Sequence, residues 1–396
     1  MRIALIADTF PPLRTSGAVQ LRDLSREFAR QGHALTVLVA SPQQAESWCL
    51  ETLDGVEVLR LKTPRTKDVG YVRRTLAELL MPFLMRRHYR QSSMAAVHWD
   101  AVVWYSPSIF LGPMVRYLKD ASACPSYLII RDIFPEWAVD MGLMDKGLPY
   151  LFFRAIANYQ YSVANVIGIQ TPGNSVYFEQ WQSQPGRRLE VLQNWLSDAP
   201  PGKCPIRIEN TALAGRRIFV YAGNMGIAQG MNHILAFVHA MQDQADAGFV
   251  FVGRGSDSLR LRTEAERLGL QNVLFFDEIA PDEIPGLYAQ CHVGIVALDV
   301  RHKTHNIPGK FISYMQAGLP VLALINPGND LEHMIQSNRV GVVSTRTDTE
   351  LLHALAMQVL QELQVTTDFH ARCRSLYQRL FAPENAVKQI VSALQR

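Results

Sequence analysis

This chain of 396 residues holds no paired cysteines, no dominant charge and no apolar run long enough to cross a bilayer. Its five cysteines (Cys49, Cys124, Cys204, Cys291, Cys373) are scattered, with neither a CxxC pair nor zinc-site spacing. An odd, dispersed set in a chain of this size excludes a disulfide framework and predicts reduced, buried thiols in a reducing compartment. Lysine and arginine number 39 against 36 acidic residues, a formal charge of +3. A dedicated nucleic-acid binder would carry a strongly basic domain, so no nucleic-acid partner is expected. No apolar stretch reaches the roughly 18 residues that a spanning helix needs. The opening MRIALIADTFPP enters a strand directly, with too short an apolar run for a signal peptide. The expectation is a cytoplasmic protein that touches a membrane only from its surface. No GxGxxG follows the first strand, which argues against a dinucleotide-dependent dehydrogenase. No DxD-like pair stands in a context that would clamp a metal, so no metal is expected.

What is present is globular: 48% of residues are hydrophobic and 19% charged. The length is too great for one ordinary core, and two domains are expected. Residues Arg2–Ala7 form a short apolar, β-branched run that ends in the turn-rich loop DTFPPLRTSGA. A helical pattern through Leu21, Leu24 and Phe28 follows, closed by Gly32, and then a second buried strand at Ala34–Val39. This start predicts an α/β class of two Rossmann-like, doubly wound parallel sheets. Further strands are predicted at 56–61, 101–104, 126–130 and 166–170, with helices near 73–91, 109–119 and 147–163. After a short strand around 189–195 comes the polar, proline-bearing stretch SDAPPGKCPIRIEN. That shift marks the boundary: domain one at 1–190, domain two at 191–380. Strands at 217–222, 247–252, 273–276, 293–297 and 321–324 then alternate with helices. A final amphipathic helix within 381–396 is expected to cross back to the first domain. Ligands of such sheets bind beyond the carboxyl ends of the strands, here in a cleft between the halves.

The segment HNIPGKFISYMQAGLPVLA, His305–Ala323, carries the most chemistry. Pro308 is placed in the first turn of a helix, with the backbone N–H groups of Gly309, Lys310 and Phe311 where the helix opens. A helix start with a lysine beside it is an anion site; the alternative is an ordinary αβ unit with a solvated lysine. His305 either supplies a further contact there or is a surface histidine. In IIRDIFPEWAVDMG, Arg131, Asp132 and Glu136 follow a strand directly and so fall at its carboxyl end. Asp132 is read either as an acid–base group or as the cap of the next helix. Residues 60–90 hold nine basic side chains against Asp68 and Glu78, interleaved with apolar ones. Such a stretch suits an anionic bilayer surface, through Arg73, Arg74, Arg86 and Arg87 above all; the alternative is a core helix with a solvated basic face.

The His305–Ala323 segment resembles the donor-binding helix of retaining glycosyltransferases of the glycosyltransferase-B (GT-B) fold, family 4-like. It is especially similar to the bacterial O-antigen and capsule branch that transfers N-acetylated amino-deoxysugars, such as N-acetyl-fucosamine, from UDP donors. Supporting matches run through most of the chain. Phe219–Met231 (FVYAGNMGIAQGM) resembles the first strand and phosphate loop of the nucleotide-binding half, which carries Gly223, Asn224 and Gln229. Phe249–Gly255 (FVFVGRG) resembles the next strand and glycine turn, with Gly253 and Arg254. Phe275–Ile279 resembles the base-contacting loop, with Glu278 and Ile279. Residues 192–195 (LQNW) look like the family's junction motif, and Gly17 matches the loop that approaches the sugar and diphosphate. The family's paired glutamates fall here on His305 and Ser313. An arginine and a lysine of many relatives are replaced by Asn224 and Gln229, which the resemblance treats as a trait of this branch.

The resemblance implies a UDP-sugar as donor substrate, no cofactor, and a lipid-linked saccharide as acceptor at the cytoplasmic face of an inner membrane. It places Asp132 and His305 near the reacting centre and Arg131 and Glu136 on the acceptor side. The rival readings are a UDP-sugar 2-epimerase of the same architecture, against which the basic stretch counts, and a non-catalytic nucleotide-sugar-binding protein.

Overall fold

The computed structural model describes residues 1–396 except 14, 68, 227–228, 301–306, 366–367 and 396. It divides into two compact units, Met1–Trp195 with Pro383–Arg396, and Leu196–Ala382.

The first unit is built from β1 (Arg2–Ala7), α1 (Ser16–Arg30), β2 (Ala34–Ser41), β3 (Trp48–Leu53), β4 (Val56–Lys62), α2 (Tyr71–Gln91), β5 (Ala101–Ser106), α3 (Gly112–Ser122), β6 (Ser126–Ile130), α4 (Glu136–Asp140), α5 (Leu148–Val163), β7 (Val166–Ile169), α6 (Glu179–Gln182) and β8 (Arg188–Val191). The strands form one sheet in the order β3-β4-β2-β1-β5-β6-β7-β8. All neighbours are parallel except β3 and β4. Ile3, Leu5 and Ala7 join the apolar layer under α1, while Ala4 and Ile6 join the opposite layer under α2, α3 and α5. This is the two-residue alternation of a strand covered on both faces. The order reverses at β1 and β5, so the switch point where such sheets bind ligands lies at the carboxyl ends of these two strands.

The antiparallel β3 is absent from the sequence reading. Its signal is local: Asp54 and Gly55 both have positive φ, 53° and 79°. That is the geometry of an Asp-Gly hairpin turn, a strong short-range cue between strands. Residues 192–195, read as the start of the second domain, belong to the first unit. Strand pairing of β7 with β8 continues to Val191, and Leu192 and Trp195 are buried in the layer under α1.

The second unit comprises β9 (Arg217–Ala222), α7 (Met231–Ala240), β10 (Ala247–Val252), α8 (Ser258–Arg267), β11 (Val273–Phe276), α9 (Ile284–Tyr288), β12 (Val293–Ala297), α10 (Gly309–Ala317), β13 (Val321–Leu324), α11 (Asp330–Asn338), β14 (Gly341–Ser344), α12 (Thr349–Val365) and α13 (Asp368–Leu376). Its six strands are all parallel, in the order β11-β10-β9-β12-β13-β14. Phe219 and Tyr221 face one apolar layer, Val220 and Ala222 the other. The last helix, α14 (Pro383–Leu394), packs in the first unit, with Val387 and Ile390 fully buried. Each such side chain contributes about 1.5–3 kcal/mol of burial. Gln389 adds polar anchorage, its side-chain amide donating to the Val191 carbonyl at 2.8 Å.

Candidate functional site

In the second unit, two glycine turns lie at the carboxyl ends of β9 and β10, backbone against backbone. The Gly223 N–H donates to the Val252 carbonyl at 2.8 Å, and the Met225 N–H to the Arg254 carbonyl at 2.8 Å. A Cβ on Gly253 would lie 2.1 Å from the Gly223 oxygen, and one on Gly255 2.2 Å from the Met225 oxygen. Their φ angles, 142° and 152°, belong to glycine as well. Glycine is therefore required here by close approach, not by flexibility. Gln229 braces the first turn from within: its Oε1 accepts from the Gly226 N–H at 3.0 Å and from Asn224 Nδ2 at 3.1 Å. Tyr221 adds a third tie through its hydroxyl, which donates to the Asn224 carbonyl at 2.6 Å.

Lys310 reaches this turn from the first turn of α10. A Cβ on Gly223 would sit 3.1 Å from its Nζ, and the ammonium lies 4.6 Å from the centre of the Tyr221 ring. Tyr221 was not singled out from sequence, because an aromatic on a buried strand reads as core. Loss of hydration pushes the Lys310 ammonium down to about 8. The cation is held over a cation–π partner and against a backbone turn, with no ion-pair partner among the described residues.

α10 begins one residue later than the sequence reading placed it. Pro308 is the residue before the helix, with φ −61° and ψ 139°, and Gly309 opens it. The Phe311 N–H donates to the Pro308 carbonyl at 3.0 Å and its ring is buried, so Phe311 offers less to an anion than its neighbours. Ser313, one position of the expected glutamate pair, donates its hydroxyl to the Gly309 carbonyl at 3.2 Å. His305, the other, and the nearby Lys303 lie outside the described residues. The helix is pinned at its far side by Tyr314, whose hydroxyl donates to the Val220 carbonyl at 3.0 Å. Its ring lies against Gly294, where a Cβ would come within 2.4 Å of it.

Arg254 is exposed at this end and pairs with Glu278, Nε to Oε2 at 2.9 Å. The pair is open to water, so its own contribution to stability is small. Ile279, next along, packs against the apolar layer of α10.

In the first unit, the carboxyl ends of β1, β5 and β6 gather Asp8, Tyr105, Arg131 and Asp132. Thr15 caps α1, its hydroxyl accepting from the Ala18 N–H at 3.2 Å. Gly17 sits in the first turn where a Cβ would approach Thr9 and the Tyr105 ring at 3.3 Å. Asp8 has an Oδ1 with no hydrogen-bond partner among the described residues. Burial raises its pKa, opposed by the positive charges of Lys67 and Arg74. Burial likewise raises Asp132, opposed by Arg131. Asp132 does not cap the next helix, since Pro135 precedes α4 and no side chain caps it. Asp8 escaped the sequence reading, although a carboxylate directly at the switch-point end of the first strand was a signal available there.

Arg131 is turned inward rather than toward solvent. Its guanidinium donates to the Leu192 carbonyl at 3.0 Å and lies 4.7 Å over the Trp195 ring. Burial pulls its pKa down to about 10. Trp195 in turn donates to the Gln20 carbonyl at 2.7 Å. The residue is a strut that fixes the 192–195 segment. Arg131→Leu leaves buried carbonyls unpaired at about 1–3 kcal/mol each. The expected result is a thermal midpoint lower by roughly 5–10 °C, read by calorimetry. Glu136 accepts from the Tyr150 hydroxyl at 3.3 Å.

α2 fits the basic, amphipathic stretch expected and departs from the alternative, a core helix with a purely basic outer face. Ala77, Met81, Met85 and Tyr89 are buried, but the outward side also carries exposed Val72, Leu76, Leu80 and Phe83. Arg73 and Arg87 are exposed, Arg74 pairs with Glu78 at 2.9 Å, and Arg86 lies 4.5 Å over the Tyr117 ring. Among the described residues no helix is long and apolar enough to cross a membrane.

Residues 216–362 match the family model described as glycosyl transferases group 1. The chain is 24% identical over 288 residues to WbjE of Pseudomonas aeruginosa, named as a glycosyltransferase, covering 71% of this chain and 70% of that one. It is 20% identical to WcaI of Escherichia coli K12, whose name assigns it to colanic acid biosynthesis as a glycosyl transferase, with both chains covered in full. Among solved structures it is similar to HepE of Anabaena in complex with UDP and glucose, with a TM-score of 0.69 and 15% identity, covering 100% of this chain and 99% of that one. The matched segment spans the glycine turns, Lys310 and the start of α10 described above. Two Rossmann-like units give the chain the GT-B fold, and with the group 1 glycosyl transferase match over residues 216–362 of the second unit they make it a glycosyltransferase.

Proposed function

We propose that the chain is a retaining, metal-independent transferase that moves a sugar from a UDP donor to a lipid-linked saccharide in bacterial surface polysaccharide or lipopolysaccharide synthesis. The sugar proposed is an N-acetylated amino-deoxyhexose such as N-acetyl-fucosamine. The observation that carries the reading is Lys310, a cation whose hydration is lost to a glycine turn and an aromatic ring at a helix start. A diphosphate supplies the negative charge such a site lacks. HepE was captured with UDP, and WcaI is named for colanic acid biosynthesis; both support the donor and pathway class.

In this reading Gly223, Asn224, Gln229 and Gly253 shape the phosphate turn, and Arg254 with Lys310 and the Pro308–Phe311 start receives the diphosphate. Glu278 and Ile279 flank the base, and Gly17 is the residue of the first unit proposed for donor binding. Departure of UDP breaks the bond from the sugar's anomeric carbon to the diphosphate oxygen. The acceptor hydroxyl oxygen forms the new bond on the same face, and its proton passes to the departing diphosphate oxygen. Catalysis is then chiefly electrostatic, stabilising the leaving diphosphate and positioning the acceptor. Asp132 and His305 are the groups proposed nearest that centre, Glu136 stands on the acceptor side, and Arg131 positions the segment beside it. The basic stretch holds the enzyme at the cytoplasmic face of an inner membrane, peripherally.

The test is thermal unfolding with UDP, GDP, ADP, TDP and CMP, each at millimolar concentration. A nucleotide at a hundredfold excess over its Kd stabilises the native state by about 2.7 kcal/mol. Selective stabilisation by UDP is expected; a response to GDP alone overturns the donor, and no response to any nucleotide favours loss of donor binding altogether.

A further inference from the structure

The parallel topology of the first unit puts the first turns of α2 and α5 at the same end of the sheet. Both helices return from the carboxyl ends of their strands to the amino ends of the next, and both pack on the face that holds α3. At that end α5 exposes Leu148, Leu151 and Phe152, preceded by Leu143 in the loop before it; Leu148 is 82% exposed. Across α3, the start of α2 exposes Val72 and Leu76. Residues 147–153 (GLPYLFF) contain no charged side chain. Single exposed apolar residues are ordinary, but a cluster repeated on two helices at one edge marks a contact surface.

We infer that this apolar rim is a membrane-inserting edge, in which the first turn of α5 enters the headgroup boundary while the basic side chains of residues 65–90 rest on anionic lipid. The inference rests on the membrane reading above and adds a second, uncharged anchor to it. Charge complementarity selects the occupant: exposed Arg65, Lys67 and Arg73 stand beside the start of α2, and a bilayer with anionic headgroups matches both halves of the surface. The rim lies at the sheet end that carries Asp8, Tyr105 and Asp132. Insertion there turns that end to the bilayer, where the saccharide of a lipid-linked acceptor is presented.

The two anchors respond differently to salt. Attraction to anionic lipid is screened within about 3 Å in molar salt, whereas apolar insertion is not. The full-length protein is floated with vesicles of phosphatidylcholine alone or with added phosphatidylglycerol, at low salt and at about half-molar salt. Wild type is expected to bind anionic vesicles in both salts. Leu148→Ser, Leu151→Ser and Phe152→Ser together should reduce binding roughly 10- to 100-fold at low salt and abolish it at high salt. Charge reversal at Arg65 and Arg73 should remove the low-salt excess only. Both variants should keep the wild-type response to UDP, which reports an intact fold. Wild-type binding by the triple-serine variant, with release by charge reversal, overturns this inference and leaves the electrostatic attachment standing. Failure of wild type on every vesicle overturns both. Loss of a wild-type dimer in the triple-serine variant, with vesicle binding unchanged, makes the rim a protein contact and equally overturns it.

Discussion

Lys310→Ala is expected to weaken UDP binding roughly 30- to 150-fold, the loss of about 2–3 kcal/mol of charge-assisted contact. The fold should survive, because the ammonium pairs with no acid among the described residues and α10 stays pinned by Tyr314. The wild type adds a pH signature. Burial holds the free ammonium down to about 8, so below that pH the cation is ready for a diphosphate. Above it, binding must also take up a proton, and affinity should fall as pH rises. Stability of the ligand-free protein should move the other way. The folded-state pKa lies below the unfolded value of about 10.4, so between the two the unfolded chain binds more protons and stability rises with pH. Titration calorimetry with UDP and unfolding midpoints, each across pH 7–10, separate the two trends. Equal UDP affinity in wild type and K310A removes Lys310 from the site.

Gly253→Ala is expected to abolish UDP binding and destabilise the second unit by about 3 kcal/mol or more. Two costs add at this position. A Cβ would lie 2.1 Å from the Gly223 oxygen, an overlap of backbone on backbone that no rotamer change relieves. The φ of 142° also strains any L side chain, at about 1–3 kcal/mol. Relief requires the 223–226 turn to move off β10, which takes Asn224, Gln229 and the seat of Lys310 with it. Gly269→Ala is the control: its φ is 66°, but its Cβ would meet nothing within 4 Å. It should cost only about 1–2 kcal/mol and bind UDP as wild type does. Chemical denaturation and UDP titration on both variants check the comparison, and a G253A protein that binds UDP normally refutes the tight-turn argument.

Much of the fold was legible along the chain. The βα rhythm carried the class, because a strand buried on both faces needs an apolar run and each parallel crossover needs a connection of about a dozen residues or more, usually helical. The place of the glycine turns was legible for a similar reason: Gly253 and Lys310 fall within a few residues of strand and helix ends. Asp8 and Tyr221 were not, since a carboxylate and an aromatic at strand ends look alike whether they serve a site or a core. Arg131 was legible as a residue at a strand end and misleading as to direction. Only the Leu192 carbonyl and Trp195, some sixty residues away, turn its guanidinium inward. The outer face of α2 was read as basic because the arginines are conspicuous in a one-dimensional count. Which side chains face outward depends on where α3 lies, and it leaves Val72, Leu76, Leu80 and Phe83 in water.

By itself, then, the sequence determined two α/β units, the glycosyl transferase segment in the second and the place of the helix start that carries Lys310. These are properties of local pattern, encoded within windows of ten to thirty residues. The tertiary structure alone decided that β3 turns antiparallel to edge the first sheet, that residues 192–195 and α14 belong to the first unit, and that Arg131 is a strut. It also decided that the Lys310 ammonium lies over Tyr221, partly withdrawn from water. Each of these depends on groups far apart in the chain meeting in space, and burial, the quantity that sets both packing and pKa, exists only once they have met.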